Sequence, residues 1–356
     1  MATITKISVR RLNLPLVRPY RLSYRTFEVF EPFLVEIEDA DGRTGFGDAH
    51  VSPGSSAETR EGGWAFLTAQ ARAAIGCRPE DAKASILDVS DQSKVAATSL
   101  VAAIEVLENH PALTASAPSA LPLLAPLNAT EAGAIQEEID NGTRAGFRTF
   151  KVKVGKDVQA DLDRVRAAQV AAHGRATLRL DANRAFSRED ALRFADGLDP
   201  SGIELFEQPC DAEDWDANAA IAAASPVPLM LDEPISSLAD IERAGAILGV
   251  GFCKLKLKRF VSLDRLRDGL EAVRTHGMEP VLGDGLGSEV HSWLEACVAR
   301  TTIRNAGEFN GFLKPRDRLF STPLRFENGA IHLGTASPRL DRATVDRLTT
   351  EHVTYS

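Results

Sequence analysis

The sequence predicts an α/β fold in which a parallel barrel of alternating strands and helices is joined to a smaller α+β domain. From residue 121 to about residue 319, short apolar runs alternate with amphipathic helical stretches, a pattern that favours a parallel sheet. Seven or eight such units, at roughly 25 to 30 residues each, make a closed barrel. Outside this region, turn residues between alternating segments indicate antiparallel strands. Periodicity alone leaves a doubly wound sheet open, although the sequence contains no GxGxxG or phosphate-loop pattern.

The first 120 residues are predicted to form a separate α+β domain. Phe33 to Glu38 alternates as a strand, and Thr44 to Val51 returns as its partner. Asp41-Gly42 supplies the turn between them, because glycine adopts the positive φ that a two-residue hairpin turn requires. Two helical patterns follow, over Ala57 to Ala74 and over Lys94 to Asn109. A connector rich in alanine, serine and proline, Ala112 to Ala120, then marks a domain boundary.

Residues 121–319 are predicted to form the barrel. Seven segments of this region are predicted as strands, namely Phe147–Val154, Ala176–Asp181, Gly202–Glu207, Pro228–Asp232, Phe252–Lys258, Pro280–Leu282 and Glu308–Asn310. The helical stretches between them include Gln159–Ala172, Arg188–Leu198 and Leu263–His276. Strands that alternate with helices in this way are typical of parallel βα units.

The last segment, residues 320–356, is predicted to rejoin the N-terminal domain. Leu324 to Phe326 and Ala330 to Leu333 flank Asn328-Gly329, which is a second hairpin signal. Both ends of the chain would then contribute to the α+β domain.

Composition and charge exclude several classes of function. The 356 residues include 41 basic and 50 acidic ones, a net charge of −9, so the chain lacks the basic surface that nucleic-acid binding requires. No apolar run approaches the roughly 18 residues of a membrane span, and no secretory signal is recognisable. The four cysteines stand singly, which suits a reducing cytoplasm better than a disulfide framework or a zinc site. We therefore expect a cytoplasmic protein that binds neither nucleic acid nor membrane.

Charged residues stand at the ends of five successive predicted strands at nearly regular intervals. From Lys153 to Asp181 is 28 residues, and the next steps, to Glu207, Asp232 and Lys256, are 26, 25 and 24 residues. One βα unit separates each from the next, so all five would lie at the carboxyl end of a parallel barrel, where barrel active sites are assembled. Any one strand-end carboxylate could equally well cap a helix or pair with a nearby Arg or Lys. Five charged residues at the same end of five successive strands favour a functional site.

The three carboxylates predict a metal site, and the flanking lysines predict proton transfer. Asp181, Glu207 and Asp232 would repel one another around the rim, which calls for a cation, and an all-oxygen ligand set suits Mg²⁺. Lys151 and Lys153 share one face of a strand, so each is expected to disfavour protonation of the other. A lysine with a lowered pKa can act as a base. The site is therefore expected to combine a metal ion with lysine bases.

Three more lysines and one arginine lie on the predicted barrel strands. Alternation puts Lys254, Lys256 and Lys258 on one face, and it does not decide which of the three is functional. Arg179, two residues before Asp181, is expected to be an ion-pair partner inside the barrel.

As an ordered set, these motifs resemble the enolase superfamily, and within it the muconate lactonizing enzyme and dipeptide epimerase group of the mandelate racemase/muconate lactonizing enzyme family. The resemblance covers nearly the whole chain. It rests on Lys151-Val152-Lys153, Asp181-Ala182-Asn183, Glu207-Gln208-Pro209, Asp232-Glu233-Pro234, Lys256-Leu257-Lys258, and, near the N-terminus, Leu16-Val17-Arg18-Pro19-Tyr20 and Gly45-Phe46-Gly47-Asp48-Ala49. By this resemblance Asp181, Glu207 and Asp232 are metal ligands, and Lys256 is selected among the three sixth-strand lysines.

The resemblance implies a modified TIM barrel, with seven full βα units and a final strand, beneath an α+β capping domain made from both chain ends. It also implies an Mg²⁺-dependent isomerase, that is, a racemase, epimerase or cycloisomerase, whose substrate carboxylate binds the metal. Lys153 or Lys256 would remove the α-proton, the other would act on the opposite face, and Lys151 would tune Lys153. A dehydratase that ends in β-elimination and a barrel that only binds a ligand are the alternatives. A homo-oligomer is expected.

The substrate is expected to be a small carboxylate, and the residues predicted to contact it beside the metal and the lysines are Asn183, Asp284, Glu308 and Asn310. Glu308 and Asp284 would repel a dicarboxylate, which favours a substrate with an amine beside its carboxylate, such as an amino-acid derivative. Two alternatives stay open: Glu308 pairs with a lysine, Lys256 being the nearest candidate, and Asp284 only shapes a turn.

Loops of the capping domain are expected to decide which carboxylate is accepted. These loops are Tyr20 to Phe30 and Ser52 to Trp64. His50 and Trp64 lie in or beside them, and a structural role for these two residues is as reasonable as a functional one.

Overall fold

The computed structural model describes residues 2–21, 25–54 and 56–356, with Arg21 described by its backbone alone. The N-terminal part contains β1 (Ile4–Leu12), β2 (Leu14–Arg21), β3 (Thr26–Phe30), β4 (Phe33–Asp39), β5 (Thr44–Ala49), α1 (Arg60–Ala74), α2 (Pro79–Asp88) and α3 (Lys94–Leu107). Nothing in the described helices is both long and apolar enough to cross a lipid bilayer.

The middle of the chain alternates strands and helices. Its elements are β6 (Ser119–Pro122), β7 (Ala125–Leu127), α4 (Ala132–Arg144), β8 (Thr149–Lys153), α5 (Val158–Ala172), β9 (Thr177–Asp181), α6 (Arg188–Asp196), β10 (Ile203–Glu207), α7 (Trp215–Ala224), β11 (Leu229–Leu231), α8 (Leu238–Gly245), β12 (Val250–Leu255), α9 (Leu257–Phe260), α10 (Leu263–Thr275), β13 (Glu279–Leu282) and α11 (Glu289–Thr302). The tail adds β14 (Arg325–Glu327), β15 (Ala330–Leu333), α12 (Arg342–Leu348) and β16 (Thr349–Tyr355).

An antiparallel sheet in the order β16-β1-β4-β5 forms the N-terminal domain, which we call the cap. The predicted hairpin is confirmed: β4 pairs with β5, Val35 lies opposite Gly47, and Gly42 in the turn has a φ of 76°. Helix α3 lies directly on β5, where a Cβ atom on Gly47 would overlap the carbonyl oxygen of Ser99. Glycine at this position therefore allows the helix and the sheet to pack closely.

Seven parallel strands, β7 to β13, lie side by side in chain order. Phe150 of β8, for example, pairs with Ala125 of β7 and with Leu178 of β9. A doubly wound sheet would change direction at a switch point in its strand order, and this sheet does not. The predicted fold class, a barrel of βα units with an α+β domain, is confirmed.

Residues 307–308 occupy the eighth position and close the barrel. The Gly307 amide donates to the Pro122 carbonyl (2.8 Å), and the Leu124 amide donates to the Gly307 carbonyl (3.1 Å). On the other side, the Glu308 amide donates to the Leu282 carbonyl at the end of β13 (2.9 Å). Glu308 is thereby held between the first and the seventh strands of the barrel.

The predicted eighth strand, Glu308–Asn310, is wrong as an extended strand. The only strand-like pairing among the described residues near this segment is a bridge between Gly307 and Leu123, and Gly307 lies one residue before the predicted strand. The Asn310 amide bonds back to the Glu308 carbonyl (2.8 Å), and a 3₁₀ turn, Gly311–Leu313, follows at once. The chain turns here because these amides are satisfied locally instead of along a sheet.

Two other barrel strands differ from the prediction. The predicted strand Phe252–Lys258 ends at Leu255, and the Leu257 amide donates to Glu295 Oε1 (3.0 Å) to begin the short helix α9. Strand β7 is not among the predicted strands, because it is three residues long and Pro126 at its centre has no amide hydrogen to donate. The remaining predicted strands are confirmed as β8, β9, β10, β11 and β13.

The C-terminal tail divides between two places. Strand β16 pairs with β1 of the cap, with Val353 opposite Val9. The hairpin β14–β15, which turns at Asn328-Gly329 as predicted, pairs instead with β6 at the start of the barrel segment, with Ile331 opposite Leu121.

A buried charged cluster joins the cap to the barrel. Asp48 of β5 accepts a hydrogen bond from the Ser288 amide at the start of α11 (3.3 Å). His291 of α11 has Nδ1 4.0 Å from Asp48 Oδ1 and Nε2 3.5 Å from Glu295 Oε1. Burial alone would lower the pKa of His291, but the charges of Glu295, Asp48 and Asp284 outweigh it and raise this pKa to about 9. The imidazolium therefore ties the two domains together at neutral pH.

We expect the free energy of unfolding to fall as the pH rises from about 6.5 to about 9. Because the folded pKa of His291 lies above its unfolded value, the stabilisation is complete below the unfolded pKa and is lost as the pH rises through the folded pKa. The shift sets an upper limit on the order of 3 kcal/mol. Urea unfolding at the two pH values measures the loss. His291→Gln should remove most of it and exposed His173→Gln should not, whereas equal pH dependence in all three proteins would contradict the assignment.

Candidate active site

Three carboxylates lie in a row at the carboxyl end of the barrel strands. Asp181 ends β9, Glu207 ends β10, and Asp232 follows β11 directly. In the parallel sheet, Glu207 lies beside Asp181, and Asp181 lies beside Lys153, the last residue of β8. All three carboxylates are almost fully buried. The structure thus brings the predicted ligands onto adjacent strands, as their spacing in the sequence requires. We call them the carboxylate row.

Two buried lysines neutralise the row from inside the barrel. Lys151 Nζ lies 2.5 Å from Glu207 Oε2 and 3.2 Å from Asp181 Oδ2. Lys254 Nζ lies 3.1 Å from Glu207 Oε1 and 3.7 Å from Asp232 Oδ2. Both ammonium groups also contact Glu308 Oε2, at 2.6 Å and 2.5 Å. Lys254 was weighed in the sequence only as an alternative to Lys256. Its place two residues earlier, on the same face, was the signal that it would also reach the barrel interior.

The pKa values in the row follow from burial and from these lysines. Burial and the charge of Asp181 raise the pKa of Glu207 to about 7. Burial would raise the pKa of Asp181 as well, but Lys153, Lys151 and Lys254 lower it to about 2. The pKa of Lys151 moves opposite to the direction expected from its lysine neighbour: burial lowers it, but the charges of Glu207 and Glu308 outweigh burial and raise it.

Two further lysines stand at the two ends of the row. Lys153 Nζ donates to Asp181 Oδ2 (2.6 Å) and to Asn183 Oδ1 (2.5 Å), and its side chain is 38% exposed. Lys256, just beyond β12, donates to Asp232 Oδ2 (2.9 Å), and its side chain is 12% exposed. Burial and the neighbouring Arg259 lower the pKa of Lys256. Strands β9, β10 and β11 separate the two ammonium groups, so they face the cavity from opposite sides.

The donors of the row fit a hard divalent cation. All are carboxylate oxygens on adjacent strand ends, and Glu233, next to Asp232, has a buried oxygen, Oε2, with no hydrogen-bond partner among the described residues. The three carboxylates of the row do not bring three oxygens within 4.8 Å of one another, and Lys151 and Lys254 form ion pairs with them. Within the described ranges, one group of three acidic or histidine residues does so: Glu105, His110 and Asp264. Lys83 Nζ already bridges two of these, at 2.7 Å from Glu105 and 3.3 Å from Asp264.

The acids predicted to bind substrate carry charges that are already compensated. Glu308 is paired with Lys151, Lys254 and, at 3.4 Å, Arg179, and these three cations outweigh burial and lower its pKa. Asp284 forms an ion pair with Lys258, which likewise holds its pKa below the usual range despite burial. The alternative in which Glu308 pairs with a lysine is the one observed, with Lys151 and Lys254 in place of Lys256. Neither acid therefore argues for a cationic substrate.

The remaining residues predicted near the site fall into two groups. Asn183 and Asn310 line the cavity above the row, together with Tyr20 of the cap. His50 and Trp64 pack inside the cap instead: His50 against the rings of Phe27 and Phe30, and Trp64 beneath the guanidinium of Arg11, 4.7 Å from the ring centroid.

Arg179 is buried against Glu204 (3.0 Å), as predicted for an interior ion pair. Of the cap loops expected to set substrate choice, residues 22–24 and residue 55 lie outside the described residues. The cavity is bounded by barrel strand ends on one side and by Tyr20 on the other.

The chain is similar in sequence and in fold to several known proteins. A family model described as "Enolase C-terminal domain-like" matches residues 134–338. The chain is 30% identical over 260 residues to a hydrophobic dipeptide epimerase of Citrifermentans bemidjiense, covering 65% of the chain and 68% of that protein. It is 26% identical to muconate cycloisomerase 1 of Rhodococcus opacus, with 93% of each chain covered. The structure of a dipeptide epimerase from Cytophaga hutchinsonii, in complex with Mg and the dipeptide D-Ala-L-Val, superposes with a TM-score of 0.88 at 21% identity, covering 99% of this chain and 100% of that one.

Proposed function

This chain belongs to the enolase C-terminal domain-like family, in the mandelate racemase/muconate lactonizing enzyme group of the enolase superfamily, and we propose that it uses Mg²⁺ to isomerise a small carboxylate by removing its α-proton. Relatives in this group are named as epimerases, racemases and cycloisomerases, and the chain is an isomerase of the same superfamily. Racemisation and epimerisation remove a proton from the α-carbon and return one to it, whereas cycloisomerisation adds a proton there as the ring closes and removes it as the ring opens. Proton transfer at the carbon next to the carboxylate is common to these reactions, and the proposal covers them all.

The observation that carries the proposal is the pair of lysines at opposite ends of the carboxylate row. Lys153 Nζ bonds to Asp181 at one end, and Lys256 Nζ bonds to Asp232 at the other, each on the cavity side. A protein that only bound a metal or a ligand would need no amine on each side of the metal ligands. Two amines that face one substrate from opposite sides can remove a proton from one face and return it to the other.

The row is proposed as the Mg²⁺ site. Members of the superfamily bind a metal ion, and Asp181, Glu207 and Asp232 supply the hard oxygen ligands that Mg²⁺ prefers. When bound, the ion would stabilise the negative charge that develops on the substrate carboxylate as the α-proton leaves.

The other residues of the site act by holding these groups in place. Lys151 and Lys254 anchor Glu207 from below, and Glu308 holds both ammonium groups in turn. Asn183 accepts a hydrogen bond from Lys153 Nζ and orients that amine toward the cavity. The base is therefore preorganised before substrate binds.

The assembly and location of the protein are also proposed. All four cysteines are free, which supports a reducing compartment, and we propose the cytoplasm. We propose a homo-oligomer, and size-exclusion chromatography with light scattering tests it, since a monomeric mass would contradict it.

Exchange of the α-proton in D₂O tests the proposed reaction. A panel of carboxylates, including N-acyl amino acids, dipeptides and cis,cis-muconate, is incubated with the protein and Mg²⁺ and followed by ¹H NMR. We expect loss of the Cα–H signal of at least one compound, or its cyclisation, and we expect EDTA to stop the reaction and added Mg²⁺ to restore it. Turnover that survives exhaustive chelation would contradict the metal dependence, and no exchange or cyclisation of any member would contradict the reaction class.

A further inference from the structure

Lys314 lies where the barrel meets the cap, directly after the eighth barrel position. The 3₁₀ turn Gly311–Leu313 brings the chain to it, and its carbonyl accepts a hydrogen bond from the Val17 amide of β2 (2.8 Å). The next residue, Pro315, bridges to Leu16 of the same strand. Its backbone is therefore fixed by the cap, while its side chain lines the cavity.

The ammonium group of Lys314 touches only neutral groups among the described residues. Nζ donates to the Gly285 carbonyl (2.7 Å) and to Asn310 Oδ1 (2.8 Å), with the Asn310 carbonyl at 3.5 Å. It also lies 4.5 Å from the centroid of the Tyr20 ring, a cation–π contact. No carboxylate of the described chain lies within ion-pair distance of it.

Every other cationic side chain that lines the described cavity has a carboxylate partner. The paired residues are Lys151, Lys153, Lys254, Lys256, Lys258, Arg184 and Arg259. Lys314 is the exception in this part of the structure. Burial, with Arg18 and Lys153 acting in the same direction, lowers the pKa of Lys314 to about 7 against the opposing charges of Asp284 and Glu308. A partly buried ammonium group without a counter-ion gains more from an anionic ligand than a paired one does.

The position of this amine relative to the carboxylate row decides which part of a substrate it could meet. The row lies at the ends of the third, fourth and fifth barrel strands, β9, β10 and β11. Lys314 bonds to Gly285, after the seventh strand, and to Asn310, after the eighth. In a closed eight-position barrel these two sets lie across the mouth from each other. A substrate whose reacting carboxylate is at the row would extend its far end toward Lys314.

We propose that Lys314 is a specificity-determining residue that binds a second carboxylate, at the end of the substrate remote from the reacting one. This inference rests on the proposed function, because the proposed function is what puts the reacting carboxylate at the row. The substrate class is then a diacid, such as an amino acid acylated by a dicarboxylic acid. Asp284 and Glu308 do not oppose such a ligand, since Lys258 pairs with the first and Lys151 and Lys254 with the second.

Three N-acyl amino acids of equal length test the inference, one ending in a carboxylate, one in the isosteric carboxamide and one in an ammonium group. Dissociation constants are measured by calorimetry with Mg²⁺ present, and kcat and KM by α-proton exchange. We expect the wild-type protein to bind the carboxylate at least about 10-fold more tightly than the carboxamide. Lys314→Met should remove this difference and leave carboxamide binding unchanged, and Lys314→Arg should keep much of it.

The controls separate this inference from the proposed function. Lys314→Gln serves as a second neutral variant if the methionine variant does not fold, and exposed Lys156→Met should behave as wild type. Equal binding of carboxylate and carboxamide, tighter binding of the ammonium compound, or a preference that survives in Lys314→Met would each overturn the role of Lys314. If the carboxylate compound binds more tightly but no compound exchanges its α-proton, the anion subsite is supported and the proposed reaction is rejected. If a compound exchanges its α-proton but the carboxylate is not preferred, the proposed reaction is supported and the role of Lys314 is rejected.

Discussion

Methionine in place of Lys153 or of Lys256 is expected to reduce isomerisation on the order of 10³-fold, because each substitution removes one of the two groups that move the α-proton. Methionine is an unbranched side chain of similar length that lacks the charge and the N–H donors of lysine. The row should stay in place, since Asp181 keeps Lys151 at 3.2 Å and Asp232 keeps Arg259 at 2.9 Å. If the substrate is racemised, each variant should lose α-deuterium exchange from one enantiomer more than from the other. ¹H NMR of each enantiomer in D₂O measures this directly.

The matched control is Lys156→Met, an exposed lysine three residues after Lys153. It removes a lysine from the loop that follows β8 without touching the row, and it should retain wild-type rates for both enantiomers. Two single variants that both isomerise at the wild-type rate would mean that neither amine is the base. A matching loss from both enantiomers in each variant would instead indicate one base with an electrostatic partner.

Spacing predicts the row because a parallel barrel converts sequence intervals into neighbours. Each βα unit returns the chain to the same end of the sheet, so residues about 25 apart at strand ends become adjacent, as Asp181 and Glu207 do. The neighbourhood of these residues can therefore be predicted without knowing any side-chain contact. This holds for Lys153 as well, which is in register with Asp181. The same logic accounts for the correct prediction of five barrel strands.

Contacts across the barrel could not be predicted in this way. Glu308 is 157 residues from Lys151 and 54 from Lys254, and their meeting depends on how the barrel closes at Gly307 and on which side chains reach its axis. From the sequence, Glu308 could either meet the substrate or pair with a lysine, and closure of the barrel puts it among three cations. The sequence gives the sign of each charged side chain, but which opposite charges lie next to it depends on the folded structure.

Segments that leave a regular element early were the other source of error. Glu308–Asn310 and Lys256–Lys258 both read as extended, yet each turns into a short helical segment at the rim. Backbone amides at these points are satisfied by a nearby carbonyl or by Glu295 rather than by a neighbouring strand. No strand pattern in the sequence predicts a role for Lys314, because it reaches the cavity only through the turn that follows the barrel's last position.

Glutamine in place of Glu207 is expected to lower Mg²⁺ affinity by at least about 100-fold, with a comparable loss of activity. Residues that merely support a metal ligand typically contribute 10- to 100-fold, so loss of a central ligand's charge should contribute no less. Glutamine preserves the volume of this fully buried side chain, and Lys254 retains Glu308 as a partner at 2.5 Å. Calorimetric titration with Mg²⁺ gives the affinity without relying on turnover, and circular dichroism confirms that the variant is folded.

Glu204→Gln is the control that separates metal binding from the loss of an interior charge. Glu204 is on the same strand, β10, and pairs with buried Arg179 at 3.0 Å, but it lies away from the row. Arg179 would keep the Ala306 carbonyl at 3.0 Å and Glu308 at 3.4 Å, so this variant should lose stability and retain its Mg²⁺ affinity. If both variants lost affinity equally, the effect would be disruption of the barrel's ion pairs. If Glu207→Gln alone lost it, the middle of the row is where the metal binds.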